Sequence, residues 1–88
     1  MIRKIFTIKN KYGLHARPAA RFVKATSKFQ SHIQIIKDGL VANGKSIMGL
    51  MTLAAEPGSE IEVVIEGDDR DAAMEAIRDL IENNFYEE

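Results

Sequence analysis

A chain of 88 residues, 45% of them hydrophobic, has material for one core, and residues 1–88 are read as a single domain. Twelve basic against 13 acidic side chains give a net charge of -1, which excludes the basic excess that a sequence-independent hold on nucleic acid requires. The absence of cysteine excludes thiolate metal sites, redox pairs and disulfides.

Ile2, Phe6 and Ile8 alternate with polar neighbours, so residues 2 to 8 are predicted as a strand that ends at the turn residues Asn10, Lys11, Tyr12 and Gly13. The same opening stretch mixes charges among its apolar residues, so no secretory leader is expected and a cytoplasmic location is. A helix over residues 16 to 28 follows, with Ala19, Phe22, Val23 and Thr26 on its apolar side; Pro18, which lacks an N–H, places the helix start close to His15. Ile33 and Ile35 form the first arm of a hairpin that turns at Asp38-Gly39 and returns through Leu40, Val41 and Ala42. Ser46 is a good N-cap for a short apolar helix over residues 47 to 54, which the Glu56-Pro57-Gly58-Ser59 turn ends. Its uncharged run, residues 46–55, is about half the roughly 20 residues that cross a bilayer, so no membrane insertion is expected. Ile61, Val63 and Ile65 alternate with glutamates as a half-buried strand, and Asp69 is placed to cap a last helix carrying Ala73, Ile77, Leu80 and Ile81, with Phe85 at its margin. The order β-α-β-β-α-β-α, with half-buried strands, predicts an α+β fold whose antiparallel sheet is covered by helices on one face.

At about 100° per residue, Arg17, Arg21, Lys24 and Lys28 fall within roughly 60° of one another, opposite the apolar side of the first helix. Taken alone, such a stripe is a solvated helix face, and a lone histidine is a structural or exposed residue. Their position changes the reading. His15 stands where unpaired N–H groups and the helix dipole favour an anion, and Arg17 is in the first turn. A neutral imidazole has a nucleophilic ring nitrogen, and a phosphoryl group received there would meet N–H donors and a guanidinium already in place. His32, on a predicted strand with no carboxylate at ligand spacing, is read as a surface residue, and no metal site or cofactor is called for.

The second helix has more apolar surface than one face can bury: Ile47 and Met51 on one side, Leu50 and Leu53 on another, Met48 on a third. Flexible methionines suit a surface that accepts several partners. Residues 39–46 also satisfy the letter of a P-loop, G-x-x-x-x-G-K-[ST], but Leu40, Val41 and Ala42 are strand formers after a hairpin turn, where a phosphate cradle needs an open loop.

The stretch GLHARPAARFV, residues 13–23, resembles the active-site signature of the HPr family, the histidine-containing phosphocarriers of the bacterial phosphoenolpyruvate-dependent phosphotransferase system, and KSIMGLMTLAA, residues 45–55, resembles that family's second segment. The resemblance runs the length of the chain. It implies an open-faced β-sandwich, a four-stranded antiparallel sheet covered on one face by three helices. It further implies that His15 is phosphorylated on Nδ1 by phospho-enzyme I and hands the group to enzyme IIA domains for sugar uptake, as a stoichiometric carrier and not an enzyme. Ala16 and Arg17 would hold the phosphate. Arg21, Lys24, Ile47, Met48 and Met51 would meet the partners, and Ser46 would be the regulatory serine of an HPr kinase/phosphorylase, although a plain N-cap explains that serine as well. A monomer is expected. The tail NNFYEE departs from the sugar-branch ending, which keeps a paralogue of the nitrogen-related regulatory branch as the alternative.

Overall fold

A computed structural model describes residues 1–87 of the chain. Among them the elements are β1 (Ile2–Thr7), α1 (Ala16–Thr26), β2 (His32–Lys37), β3 (Leu40–Asn43), α2 (Ile47–Thr52), β4 (Glu60–Glu66) and α3 (Arg70–Glu82), followed by a 3-10 turn over Asn84–Tyr86. The four strands form one sheet in the order β1-β4-β2-β3, every pair antiparallel. The register places Ile61 opposite Phe6, Val63 opposite Ile35, and Ile65 between Ile2 and Ile33, so one face of the sheet is apolar except at Lys4, which stands opposite Val63 on the edge strand. The helices cover this face, with Ala19 and Phe22 of α1, Leu50 of α2, and Ala73, Ile77 and Ile81 of α3 fully buried against it or within two per cent of it. The opposite face is open, and Glu62 lies there between Ile5 and Ile36. No helix among the described residues is long and apolar enough to cross a membrane.

The Asp38-Gly39 turn has positive φ at both residues, 51° and 82°, the mirror-image geometry that matches the twist of paired strands. Helix ends are less regular than the apolar pattern suggests. The α1 helix stops at Thr26, whose hydroxyl donates to the Gly44 carbonyl at 2.8 Å and ties the helix end to the turn before α2. The α2 helix stops at Thr52, because Ala54 adopts a left-handed φ of 50° and the Ala55 carbonyl turns toward Leu14.

Asp69 stands at the start of α3 but does not cap it with its side chain. Its carboxylate instead crosses to the loop before β2, accepting the N–H groups of Gln30 (2.8 Å) and Ser31 (2.9 Å) and the Ser31 hydroxyl. The approach is close enough that a Cβ on Gly67 would lie 2.4 Å from the Ser31 hydroxyl oxygen. The Ser31 hydroxyl, then the Gln30 N–H, hold the Asp69 carboxyl below its ordinary 3.8. A lowered folded-state value stabilises the fold fully above the unfolded value and loses that contribution as pH falls through the folded one. Asp69→Asn should therefore be less stable than the parent at neutral pH, and denaturant unfolding below about pH 4 should show its stability falling less steeply.

Candidate phosphoryl-acceptor site

Two chain crossings bring the start of α1 into place. Gly13 has a φ of +71°, and a Cβ there would stand 2.2 Å from the Ala55 carbonyl oxygen, so the close approach of these two backbones requires glycine. Leu14 follows, buried, its N–H donating to that same carbonyl at 2.9 Å. His15 then takes the N-cap position in extended conformation, and its carbonyl accepts the first helical bond, from the Ala19 N–H at 3.0 Å. The N–H groups of Ala16 and Arg17 precede that bond, and Pro18, buried in the first turn, has none to lose. The helix start is thus where the proline spacing predicts it.

The His15 side chain does not cap the helix and is 40% exposed. Its ring meets Tyr12 edge-on, centroids 5.6 Å apart. The Nε2 atom is withdrawn from solvent without a hydrogen bond, and Glu87 Oε2 stands 3.4 Å away, at ion-pair distance but out of hydrogen-bond alignment. The other Glu87 oxygen accepts from Asn10 Nδ2 at 2.9 Å, and the same nitrogen also donates to the Gly13 carbonyl at 2.8 Å. Asn10 is itself 1% exposed, so the turn before His15 is pinned to the tail end at Glu87.

That end arrives through an unusual backbone. Asn84, Phe85 and Tyr86 all have φ between 54° and 57°. Left-handed backbone at a non-glycine residue costs roughly 1–2 kcal/mol each. The run is held by full burial of Phe85, by the Arg21 guanidinium donating to the Phe85 carbonyl at 2.6 Å, and by the Tyr86 hydroxyl donating to Asp79. The hydrogen bond that the phenol donates to Asp79 keeps Tyr86 above its ordinary value. Phe85 accordingly belongs to the core by way of a reversed tail and not as the last turn of α3.

Around His15 lies a cleft of about 870 Å³ whose wall includes Lys11, Tyr12, Arg17, Arg21, Tyr86 and Glu87. Arg17 is exposed and makes no ion pair or hydrogen bond among the described residues, leaving its guanidinium available to an anion. Arg21 lines the same cleft but commits one N–H to the tail; Lys24 and Lys28 continue outward, exposed. On the other side of His15 a shallower groove of about 290 Å³ includes Tyr12 and Met51. Ile47, Met48 and Met51 are 40%, 73% and 40% exposed, an unburied apolar surface on α2. Ser46 caps α2, its hydroxyl oxygen accepting the Gly49 N–H at 3.0 Å. His32 is exposed at the start of β2, opposite Glu66. The P-loop letters meet a different fate: Leu40–Asn43 pair with β2, and Lys45 Nζ donates to the Phe29 carbonyl at 2.6 Å. No phosphate cradle exists there.

The family model for the PTS HPr component phosphorylation site matches residues 2–83. The chain belongs to the HPr family. Among HPr relatives, the phosphocarrier protein HPr of Treponema pallidum (strain Nichols) is 49% identical over all 88 residues of both chains. The HPr-like protein Crh of Halalkalibacterium halodurans is 51% identical over 82 residues, 93% of this chain and 98% of that one. The crystal structure of HPr-C-His from Thermoanaerobacter tengcongensis superposes with a TM-score of 0.96 at 50% identity, covering 100% of this chain and 99% of the other. The HPr architecture expected from the two sequence motifs, four antiparallel strands under three helices, is the one observed.

Residues that the motifs did not single out for the site are Tyr12, Asn10 and Glu87. Tyr12 and Asn10 carried only turn chemistry in the sequence. Glu87 has no local signal at all, since its partner Asn10 lies 77 residues away in the chain.

Proposed function

We propose that His15 of this HPr-family chain accepts a phosphoryl group on Nδ1 from phospho-enzyme I and passes it to an enzyme IIA domain. The observation that supports this reading is the placement of a half-exposed imidazole at the head of α1, beside the unpaired first-turn N–H groups of Ala16 and Arg17 and the open Arg17 guanidinium. In the transfer, the Nδ1 lone pair forms the new bond to phosphorus. The bond from phosphorus to the donor breaks, and its electron pair stays with the donor. The three phosphoryl oxygens then face N–H donors and a cation that need little rearrangement. Discharge to the acceptor runs the same step in reverse order, so the protein returns unchanged after each pair of transfers and serves as a carrier, not as an enzyme.

The exposed Ile47, Met48 and Met51 provide an apolar contact beside the site, and Lys24 and the remainder of Arg21 provide positive charge that steers an acidic partner. Ser46, at a helix N-terminus, has room in its chemistry for a phosphate, which would place about two negative charges on this docking face. We take residues 1–88 as one working unit, monomeric and cytoplasmic, in the sugar-uptake branch. Incubation with enzyme I, labelled phosphoenolpyruvate and a panel of enzyme IIA domains tests the assignment: transfer to a sugar-specific domain is expected, and label appearing only on a nitrogen-branch domain overturns the branch.

Arg17→Ala should slow phosphorylation by about tenfold to a hundredfold, the worth of a hydrogen bond to a charged group. Its exposed position means that the unfolding midpoint should stay where it is. Single-turnover labelling together with a denaturation curve separates these two effects.

A further inference from the structure

We infer that Glu87 is a positioning residue for His15, holding a proton on Nε2 so that the Nδ1 lone pair faces the incoming phosphoryl group; the inference rests on the carrier reading above. Nε2 is the buried polar atom of a ring that is otherwise 40% exposed, and it has no hydrogen-bond partner. A carboxylate oxygen 3.4 Å away is the acceptor that a proton on Nε2 would use. Catalytic hydrogen bonds of this kind tighten when charge develops.

The carboxylate is itself well placed for the task. Its second oxygen is fixed by Asn10 Nδ2 at 2.9 Å, and its side chain is only 14% exposed, so water competes weakly for it. The backbone behind it is fixed by Phe85 in the core and by Arg21 on the Phe85 carbonyl. A carboxylate on one ring nitrogen orients an imidazole and selects which nitrogen keeps its lone pair.

During transfer the electron balance calls on this contact directly. As the Nδ1 lone pair enters the bond to phosphorus and the donor's bond breaks, positive charge spreads over the ring and onto the Nε2–H. The proton stays on Nε2, which donates to Glu87 in a strengthened hydrogen bond that balances the charge, and no proton has to leave. On discharge the lone pair returns to Nδ1 and the contact relaxes. The role differs from that of Arg17, which acts on the phosphoryl oxygens.

The test uses the full chain and its Glu87→Gln variant. Glutamine keeps an acceptor for Asn10 and the shape of the side chain while removing the charge. Phosphorylation by enzyme I and phosphoenolpyruvate should show kcat lowered about tenfold, with KM for the protein unchanged and the thermal midpoint preserved. The ¹⁵N spectrum of the imidazole in the unphosphorylated protein should show a protonated Nε2 that exchanges slowly in the parent and faster in the variant. Equal kcat in the two proteins, or a loss confined to KM, overturns the role of Glu87 while labelling of the parent on His15 leaves the carrier reading intact. A parent that takes no label on His15 overturns the carrier reading and this inference together.

Discussion

His15→Ala should take up no label from enzyme I and phosphoenolpyruvate, a complete loss and not a slowing. In the proposed transfer Arg17, Ala16 and Glu87 act on a phosphoryl group or on the imidazole, and none of them supplies a nucleophile once the ring is gone. The same substitution should leave the fold almost untouched. His15 makes no side-chain cap to α1 and is 40% exposed, so its truncation removes little burial, and a change within about 0.5 kcal/mol is expected. His32 is the control. It is exposed beside Glu66 on the sheet, near the start of α3 and not at the start of α1, so His32→Ala should label as the parent does. Label remaining on His15→Ala would move the acceptor elsewhere.

Phe85→Ala should cost about 3–5 kcal/mol of stability, the usual range for emptying an aromatic side chain from a core. Phe85 is fully buried despite lying three residues past the end of α3. Its burial offsets the left-handed backbone at Asn84, Phe85 and Tyr86, so its removal should release the whole tail as well as open a cavity. Two measurements follow: a lower denaturant midpoint, and faster cleavage of the tail by a carboxypeptidase. Because Glu87 is carried on that tail, the variant's kcat for phosphorylation should fall as well. A loss below about 1 kcal/mol would show that the tail is held by its hydrogen bonds and not by the ring.

The strands were legible because their side chains alternate. Ile61, Val63 and Ile65 need one dry face, and a shift by one residue would bury glutamates instead. The Asp38-Gly39 turn was equally plain, since both residues tolerate the positive φ that a tight hairpin demands. Helix ends were less so. Thr26 and Ala54 end their helices through contacts with Gly44 and through the turn toward Leu14, neither of which an apolar pattern records. Asp69 shows how a local rule is overridden: the residue type and place suit an N-cap, but three donors from the loop before β2 compete for the same carboxylate.

The sequence by itself determined the sheet's apolar face, the helix start at His15 and the family, because those depend on short-range periodicity, on a proline without an N–H and on two contiguous motifs. Only the tertiary structure decided what stands against His15 Nε2. That contact joins a turn residue, Asn10, to a tail glutamate across 77 positions, through a backbone whose left-handed run is tolerated because Phe85 is buried. Such a contact has no periodicity and no local propensity. It exists because the fold places residues 85–87 over the first turns of α1.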